Sequence, residues 1–328
     1  MPKAASAPFI SRPGGWAIIR RNRPAMASLV LLGLLVAIAF GVPPFLPEEL
    51  KLTSGGTFLP PLSREAGTGI LHLCGTDKNG QDLFYRLLTG AQVSLGVGMV
   101  GAFLALIIGT AYGMISGYLG GQVDAVMMRA VDMLYAIPRI LFIMIFIAVF
   151  DDVFKDWLDH TRLWAQKADW PWLEDAARKL MPYSKLLVMV LSLGLVEWLT
   201  MARIIRGQVL VLREATFVTA SRAMGQSGFT ILRRHLLPNL STIILTYLTL
   251  TIPAVILDES FLSFLGLGIE DPAASWGSLL KDGAQTLNPI DSKWWLLAFP
   301  AAAMSASLLA LNFIGDGLRD AFDPKSTD

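Results

Sequence analysis

Six long apolar runs alternate with polar stretches along this chain. A membrane-spanning helix needs about 20 mostly apolar residues, and each run reaches that length. The runs cover residues 25–46, 91–116, 129–150, 184–205, 241–263 and 293–315. Pro138 and Pro253 interrupt the third and fifth runs, and proline kinks a membrane helix without abolishing it. The pattern predicts an all-α integral membrane protein with six spanning helices.

The first run has some features of a secretory signal. Arg20, Arg21 and Arg23 precede it, and the small residues at 37–39 resemble a cleavage site. The apolar run nevertheless continues to Phe45, which is too long for a signal core. We therefore expect residues 25–46 to remain as the first transmembrane helix.

Basic residues in short loops predict the orientation, because cytoplasmic loops carry an excess of lysine and arginine. The segment 1–24 holds five basic residues and no acid, and 206–240 holds five arginines and one glutamate. The segment 151–183 is rich in aspartate. Segments 1–24 and 206–240 are thus expected in the cytoplasm, and 47–89 and 151–183 outside. Six spans return the tail, 317–328, to the cytoplasm.

Composition agrees with a membrane protein and excludes several classes of chemistry. Only 16% of the 328 residues are charged, against about a quarter in soluble domains. The single cysteine excludes an intrachain disulfide, and three scattered histidines suggest no metal site. No Gly-Lys dipeptide occurs, so the phosphate-binding loop of ATPases is absent from the sequence. If the protein uses ATP, another chain must bind the nucleotide.

The polar stretch "TASRAMGQSGFTILRRHLLPN", 219–239, predicts two short helices joined at Gly225. Phe229, Leu232 and Leu236 would form an apolar stripe on the second helix, and Pro238 would end it. A DNA-reading helix pair has a similar pattern. A short loop tethered at both ends to a membrane cannot readily enter a groove, however, so no nucleic acid is expected. A solvated loop without a partner and a docking surface for another protein remain the alternatives.

Acidic residues inside the apolar runs are a second clue, because each costs about 3 kcal/mol at a helix centre. Glu197 lies in the fourth run, and Asp258 and Glu259 lie near the end of the fifth. One interpretation is that these carboxylates line a transport path, where Glu197 and Glu259 would hold the amino terminus of a peptide. The alternative is structural pairing, such as Arg203 with Glu197.

A fourth acid, Asp132, lies in the third run, three residues after Arg129. We expect the two to pair on one helix face. Outside the runs, "GTDKNGQD", 75–82, is typical of a turn that starts a helix. Residues 173–181 predict a short helix, and 47–75 is expected to be irregular.

Several stretches resemble one family of transport proteins. The 219–239 stretch is similar to the cytoplasmic loop of ABC-importer permeases, with Gly225 and Leu237-Pro238 at the spacing of that signature. Thr219-Ala220-Ser221 replaces its Glu-Ala-Ala. "GTDKNGQDLFYRLLTGAQVSLGVG", "SFLGLGIEDPAASWG" and "GDGLRDAFDP" resemble the dipeptide, oligopeptide and nickel branch, in its C-type subunit. Residues 47–70 and 151–183 match poorly.

The resemblance implies a six-helix permease with a permease core over 90–316, in which 206–240 is a coupling loop and 151–183 an insertion. A second permease subunit, two ATPase subunits that bind ATP and magnesium, and an external solute-binding protein would complete an importer of peptides. Nickel chelates, other small solutes and an ATP-independent carrier remain alternatives. The residues expected to meet the ATPase are Thr219, Ala220, Ser221, Ala223, Met224, Gly225, Phe229, Leu237 and Pro238.

Overall fold

The computed structural model describes residues 20, 22–51, 56–66, 69–269, 273–288 and 291–322. The expectations for residues 1–19 and 323–328 lie outside this range. Ten main helices carry the fold: α1 Arg23–Gly41, α2 Leu83–Leu119, α3 Gly121–Tyr135, α4 Arg139–Lys167, α5 Pro171–Leu180, α6 Ser184–Leu212, α7 Thr216–Ala223, α8 Leu237–Phe264, α9 Trp276–Gln285 and α10 Trp295–Phe322.

Short elements join these helices. They are the helical turns Pro43–Phe45, Glu48–Lys51, Met181–Tyr183, Gly228–Ile231 and Leu232–Leu236, and the antiparallel strands β1 (Ser63–Arg64) and β2 (Leu71–His72). In the described part of the chain, five helical segments are long and apolar enough to cross a membrane. The pair α3 and α4 raises this number to six if it forms one bent span. The all-α membrane fold is therefore confirmed.

The turn before the second span caps α2. Asp82 is the N-cap residue, and its carboxylate accepts a hydrogen bond of 2.8 Å from the backbone N–H of Tyr85. Such a cap satisfies an N–H that has no acceptor within the helix. The helix consequently begins at Leu83, inside the segment that was expected to be extracytoplasmic up to residue 89.

Small residues set the closest contact in the bundle, between α2 and α6. Ala105, Gly109, Gly113 and Gly117 recur every four residues of α2 and so share one face. A Cβ added to Gly113 would lie 2.5 Å from the carbonyl oxygen of Ala202 on α6. Stripes of this kind let membrane helices approach closely, as α2 and α6 do here.

The third span differs from the expected kinked helix over 129–150. α3 ends at Tyr135, α4 starts at Arg139, and the two helices meet at 86°. Pro138 has no N–H to donate and disfavours helical backbone at Ile137, so the chain turns instead of bending slightly. Pro253 confirms the milder expectation, because α8 runs through it without a break.

The segment 151–183 is mostly helical rather than a loop. α4 continues through it to Lys167, and an ion pair of 2.7 Å between Lys155 and Asp151 supports that continuation at a spacing of four residues. The short helix expected over 173–181 is present as α5. The acidic residues of this segment therefore lie mostly on helices and do not indicate an irregular loop.

The two ends of the bundle hold different segments. At one end, Lys78 pairs with Asp282 and the ring of Phe58 lies under the ammonium of Lys293, so the segment before α2 meets the end of α9 and the residues before α10. At the other end, the Arg213 guanidinium donates to the carbonyl of Gly117, close to the end of α2. The stretch between α6 and α8 thus lies opposite the segment before α2.

Candidate functional site

The coupling segment, defined as residues 213–236, connects α6 to α8. It is shorter than the expected loop 206–240, because α6 extends to Leu212 and α8 begins at Leu237. Within it, α7 ends at Ala223 and the chain turns at Gly225, where the sequence predicted the join between two helices. The N–H of Gly225 donates to the carbonyl of Arg222, and the N–H of Gln226 donates to that of Ser221. This pairing closes helices through a left-handed residue, and Gly225 has φ +78°.

The inner face of the coupling segment is anchored in the bundle. Val218 on α7 is fully buried, as are Ile231 and Leu236 in the following turns. These side chains form one apolar cluster with Met114 of α2, and with Ile205, Val209 and Leu240 of the neighbouring spans. A displacement of α7 is therefore transmitted directly to α2, α6 and α8, because a close-packed core does not compress.

The outer face of the coupling segment exposes apolar side chains that the bundle does not cover. Met224 is 71% exposed and Phe229 is 73% exposed. Thr219, Ala220 and Ala223 are also exposed, whereas Ser221 is buried and donates to the carbonyl of Phe217. Phe229 borders an open groove of about 400 Å³ with Thr230, Arg233 and Arg234.

The predicted apolar stripe is confirmed for Leu232 and Leu236, which pack in the apolar cluster, and wrong for Phe229. Phe229 points outward, and Ile231 occupies the buried position instead. A π-helical turn over Leu232–Leu236 changes the register, so spacings counted for a regular α-helix do not hold. Pro238 does not end this helix either. It lies in the first turn of α8, where a missing N–H costs nothing, and Leu237 beside it is 39% exposed.

A second polar site, the charge triad, joins three helices. The Arg139 guanidinium at the start of α4 donates 2.6 Å to the Glu197 carboxylate on α6 and 2.7 Å to the Asp258 carboxylate on α8. The arginine side chain is 47% exposed, and both carboxylates are nearly buried. Arg139 was missed in the sequence, although a lone arginine after a proline in an apolar run indicates a carboxylate partner elsewhere.

Two members of the triad, Arg139 and Glu197, form part of the wall of a cavity of about 390 Å³ beside the α3–α4 break. Its wall combines the break itself with one face of α6. The lining residues are Leu134, Tyr135, Ala136, Ile137, Pro138, Arg139, Phe142, Leu195, Val196, Glu197, Leu199 and Thr200. Of the three acids expected on a transport path, Glu197 lines this cavity and Asp258 is linked to it through Arg139.

Glu259, the third acid, lies elsewhere. It is fully buried and accepts hydrogen bonds from the hydroxyls of Ser94, Ser260 and Ser263. Ser94 also accepts from the N–H of Trp276, so this group ties α2, α8 and α9 together. In this conformation the carboxylate of Glu259 is enclosed by protein and does not line the cavity.

Two further ion pairs join α3 to α6, and the first of them replaces the pairs expected from the sequence. Asp132 accepts 2.7 Å from Arg203, which also lies 4.0 Å from the ring centre of Tyr135. Asp132 and Arg203 therefore pair with each other, and not with Arg129 and Glu197 as expected. Asp124 accepts two hydrogen bonds from Arg206. Contacts between helices override spacing along one helix here, because the α3–α6 contact brings the opposite charges together.

The segment before α2 holds a buried polar network. His72 Nδ1 and an Asp82 carboxylate oxygen are 2.8 Å apart, and Arg86 donates to Asp77. Burial, helped by the charge of Asp82, raises the pKa of the Cys74 thiol to about 11. Among the described residues, no group of three or more histidine, cysteine, aspartate or glutamate side chains could hold a metal ion.

Comparison with known families is consistent with this architecture. Residues 109–328 match the binding-protein-dependent transport system inner membrane component family, and residues 15–61 match the N-terminal TM domain of oligopeptide transport permease C. The first match covers two thirds of the chain. The chain therefore belongs to the family of inner membrane components of binding-protein-dependent transport systems. Within that class it is a multi-pass permease subunit of the inner membrane, which confirms the resemblance found in the sequence.

Curated relatives agree over nearly the whole chain. The OppC oligopeptide transport system permease of Haemophilus influenzae is 36% identical over 93% of this chain and 86% of its own length. The DppC dipeptide transport system permease of Bacillus subtilis is 37% identical over 94% and 84%. The OppC protein of Escherichia coli is 38% identical over 93% and 88%.

A solved structure of the MetNI methionine ABC transporter in inward-facing conformations also matches. The alignment covers 74% of this chain and 98% of that chain, at 18% identity and a TM-score of 0.48.

Proposed function

We propose that this chain forms part of the membrane path of an ATP-driven peptide importer and that its coupling segment receives force from an ATPase subunit. The names of the curated relatives support the peptide substrate, since they are dipeptide and oligopeptide permeases. Membership of the family implies ATPase and binding-protein partners. A second, B-type permease would enclose the path together with this chain, and two ATPase subunits would supply bound ATP and magnesium.

The observation that carries the coupling role is the two-sided construction of the segment. Its outer face offers Met224 and Phe229 to a partner, while Val218 fixes its inner face in the core. Exposed apolar side chains surrounded by polar ones are typical of protein-binding surfaces. The rest of this face carries small residues, which are Thr219, Ala220, Ala223 and Gly225. A groove of the ATPase can therefore close over it.

The orientation follows from the same construction. An ATPase binds nucleotide in the cytoplasm, so the coupling segment lies inside, and both termini are expected on that side. The segment before α2 and helix α5 then face the outside, where a binding protein delivers its ligand. The excess of arginines in the coupling segment favours this orientation.

The test is attachment of the ATPase after substitution of the outer face. Phe229→Asp places a charge at the expected contact without changing the buried anchor. We expect a loss of about 2–4 kcal/mol of binding free energy, because central aromatic contacts dominate interfaces. Co-purification of the ATPase with the assembled permease pair measures it. Trp172→Asp, at a 68% exposed aromatic position of α5 outside the coupling segment, is the matched control. Equal retention of the ATPase by both variants would reject the coupling role.

A further inference from the structure

The cavity beside the α3–α4 break has a size and position suited to a small ligand. Its volume of about 390 Å³ falls in the range of ligand sites, which runs from about 300 to 1,000 Å³. Its wall includes the ends of two helices that meet at 86°. Interrupted helices at membrane depth commonly bind the charged groups of transported solutes, because their ends carry partial charges. Glu197 and Arg139 are the charged residues of this wall.

The charge balance of the triad distinguishes it from its neighbours. Asp132 with Arg203 and Asp124 with Arg206 are pairs of one acid and one base. In the triad, one guanidinium serves two carboxylates, so the group carries a net charge of about −1 when both acids are ionised. One Asp258 carboxylate oxygen is also buried without a hydrogen-bond partner in the described part of the chain.

We propose that this cavity selects the positively charged amino terminus of the transported peptide, with Glu197 as the acceptor. The inference rests on the proposed peptide import. An ammonium group brings the triad to neutrality, whereas a carboxylate would bring it to about −2. The carboxyl terminus of a peptide could meet the exposed part of Arg139, but the negative net charge of the triad would repel it. Asp258 is a positioning residue, because it holds Arg139 in place without lining the cavity.

The proposal predicts that preference for a free amine follows the net charge of the triad and not the number of its members. Glu197→Gln is isosteric and brings the net charge to zero. The double variant Arg139→Gln, Asp258→Asn removes two members and leaves Glu197 with a charge of −1. The first variant should therefore lose the preference, and the second should keep it. A merely structural triad predicts the opposite order, since the double variant removes both ion pairs.

The experiment measures ATP-driven uptake into vesicles that contain the complete transporter. The probes are trialanine, its N-acetyl form and its C-terminal amide, each supplied at a concentration that saturates the binding protein. For Glu197→Gln we expect roughly tenfold slower uptake of trialanine and its amide and unchanged uptake of the acetylated form, since a hydrogen bond to a charged group is lost. The double variant should stay close to the unmodified protein. Asp124→Asn, which removes an α3–α6 pair away from the cavity, is the matched control.

Several results would overturn the proposal. One is equal slowing of free and acetylated peptides in Glu197→Gln, and another is loss of the free-amine preference in the double variant. If Glu197→Gln instead changes the uptake of the amide relative to trialanine, the cavity would be assigned to the carboxyl terminus of the peptide. If the unmodified transporter moves none of the three probes, the proposed peptide import fails. If it moves them and the relative uptake rates of the three probes are the same in all variants, only the assignment of the cavity fails.

Discussion

The coupling segment and the charge triad are both polar features of a largely apolar bundle, but they are built in opposite ways. The coupling segment exposes Met224 and Phe229 and buries its anchor Val218. The triad collects charged side chains from three helices around a cavity. The first arrangement suits a large protein partner that brings its own surface. The second suits a small charged ligand, because each charged group of the ligand needs a partner of its own.

The largest expected effect concerns the anchor of the coupling segment. Val218→Asp would place an unpaired charge in the cluster of Met114, Ile205 and Leu240, at a cost of several kcal/mol. Uptake should fall more than tenfold, together with attachment of the ATPase. Thr216→Asp, an exposed change in the first turn of α7 where an acid is favourable, should preserve both. If Val218→Asp transports normally, force does not pass through this anchor.

The closely packed helices α2 and α6 connect the coupling segment to the triad, and substitutions at the glycines of α2 test that connection. Gly113→Leu should destabilise the protein by about 1–3 kcal/mol, because a Cβ there would meet the backbone of Ala202. Gly96→Leu should be tolerated, since no atom lies within 4 Å of a Cβ at that position. Thermal unfolding in detergent measures both variants. Equal melting temperatures would show that the close contact is not needed.

A smaller effect is expected at the turn that ends α7. Gly225→Ala would place a side chain at φ +78°, which costs about 1–2 kcal/mol even though the surrounding space is open. We expect weaker retention of the ATPase with an unchanged melting temperature of the bundle. Gly207→Ala in α6, where the space is equally open and φ is ordinary, should have no effect. Full retention of the ATPase by the Gly225→Ala variant would show that docking does not depend on this turn.

The smallest effect concerns the chemistry of Cys74, outside both sites. Its thiol has a pKa raised to about 11, so little thiolate exists at pH 7. Alkylation should therefore be slow at pH 7 and rise about tenfold per pH unit until the pKa is approached. Asp82→Asn should lower the pKa and speed the reaction, because one of the two causes is removed. A fast reaction at pH 7 in the unmodified protein would contradict the burial of this thiol.

The two sites also differ in how far the sequence could predict them. The coupling segment is local, so its position between two spans and its turn at Gly225 were visible in the sequence, although its length was overestimated. Even there, the π-helical turn at Leu232–Leu236 changed which residue is buried, and no spacing rule indicates such a turn. The proline break was underestimated, because Pro138 and Pro253 look alike in sequence and differ in their surroundings.

The triad could not be read from the sequence, because its members are far apart along the chain. Arg139 and Asp258 are brought together by the contacts of α4, α6 and α8. Glu197 and Asp258 stand out in the sequence because a carboxylate in an apolar run costs free energy. That cost indicates that each has a partner, but it does not identify the partner. The same reasoning marked Glu259, which serine hydroxyls satisfy instead.

The most direct test of force transfer to the coupling segment is a cross-link to the ATPase. Cys74 is the only cysteine, so Cys74→Ser with Met224→Cys provides one reactive position on the exposed face. In the assembled transporter, we predict a cross-link between this cysteine and the ATPase subunit, with a yield that changes when ATP binds. A transporter that imports its substrate normally while this cysteine reacts only with small reagents from solvent, with or without ATP, would contradict the account.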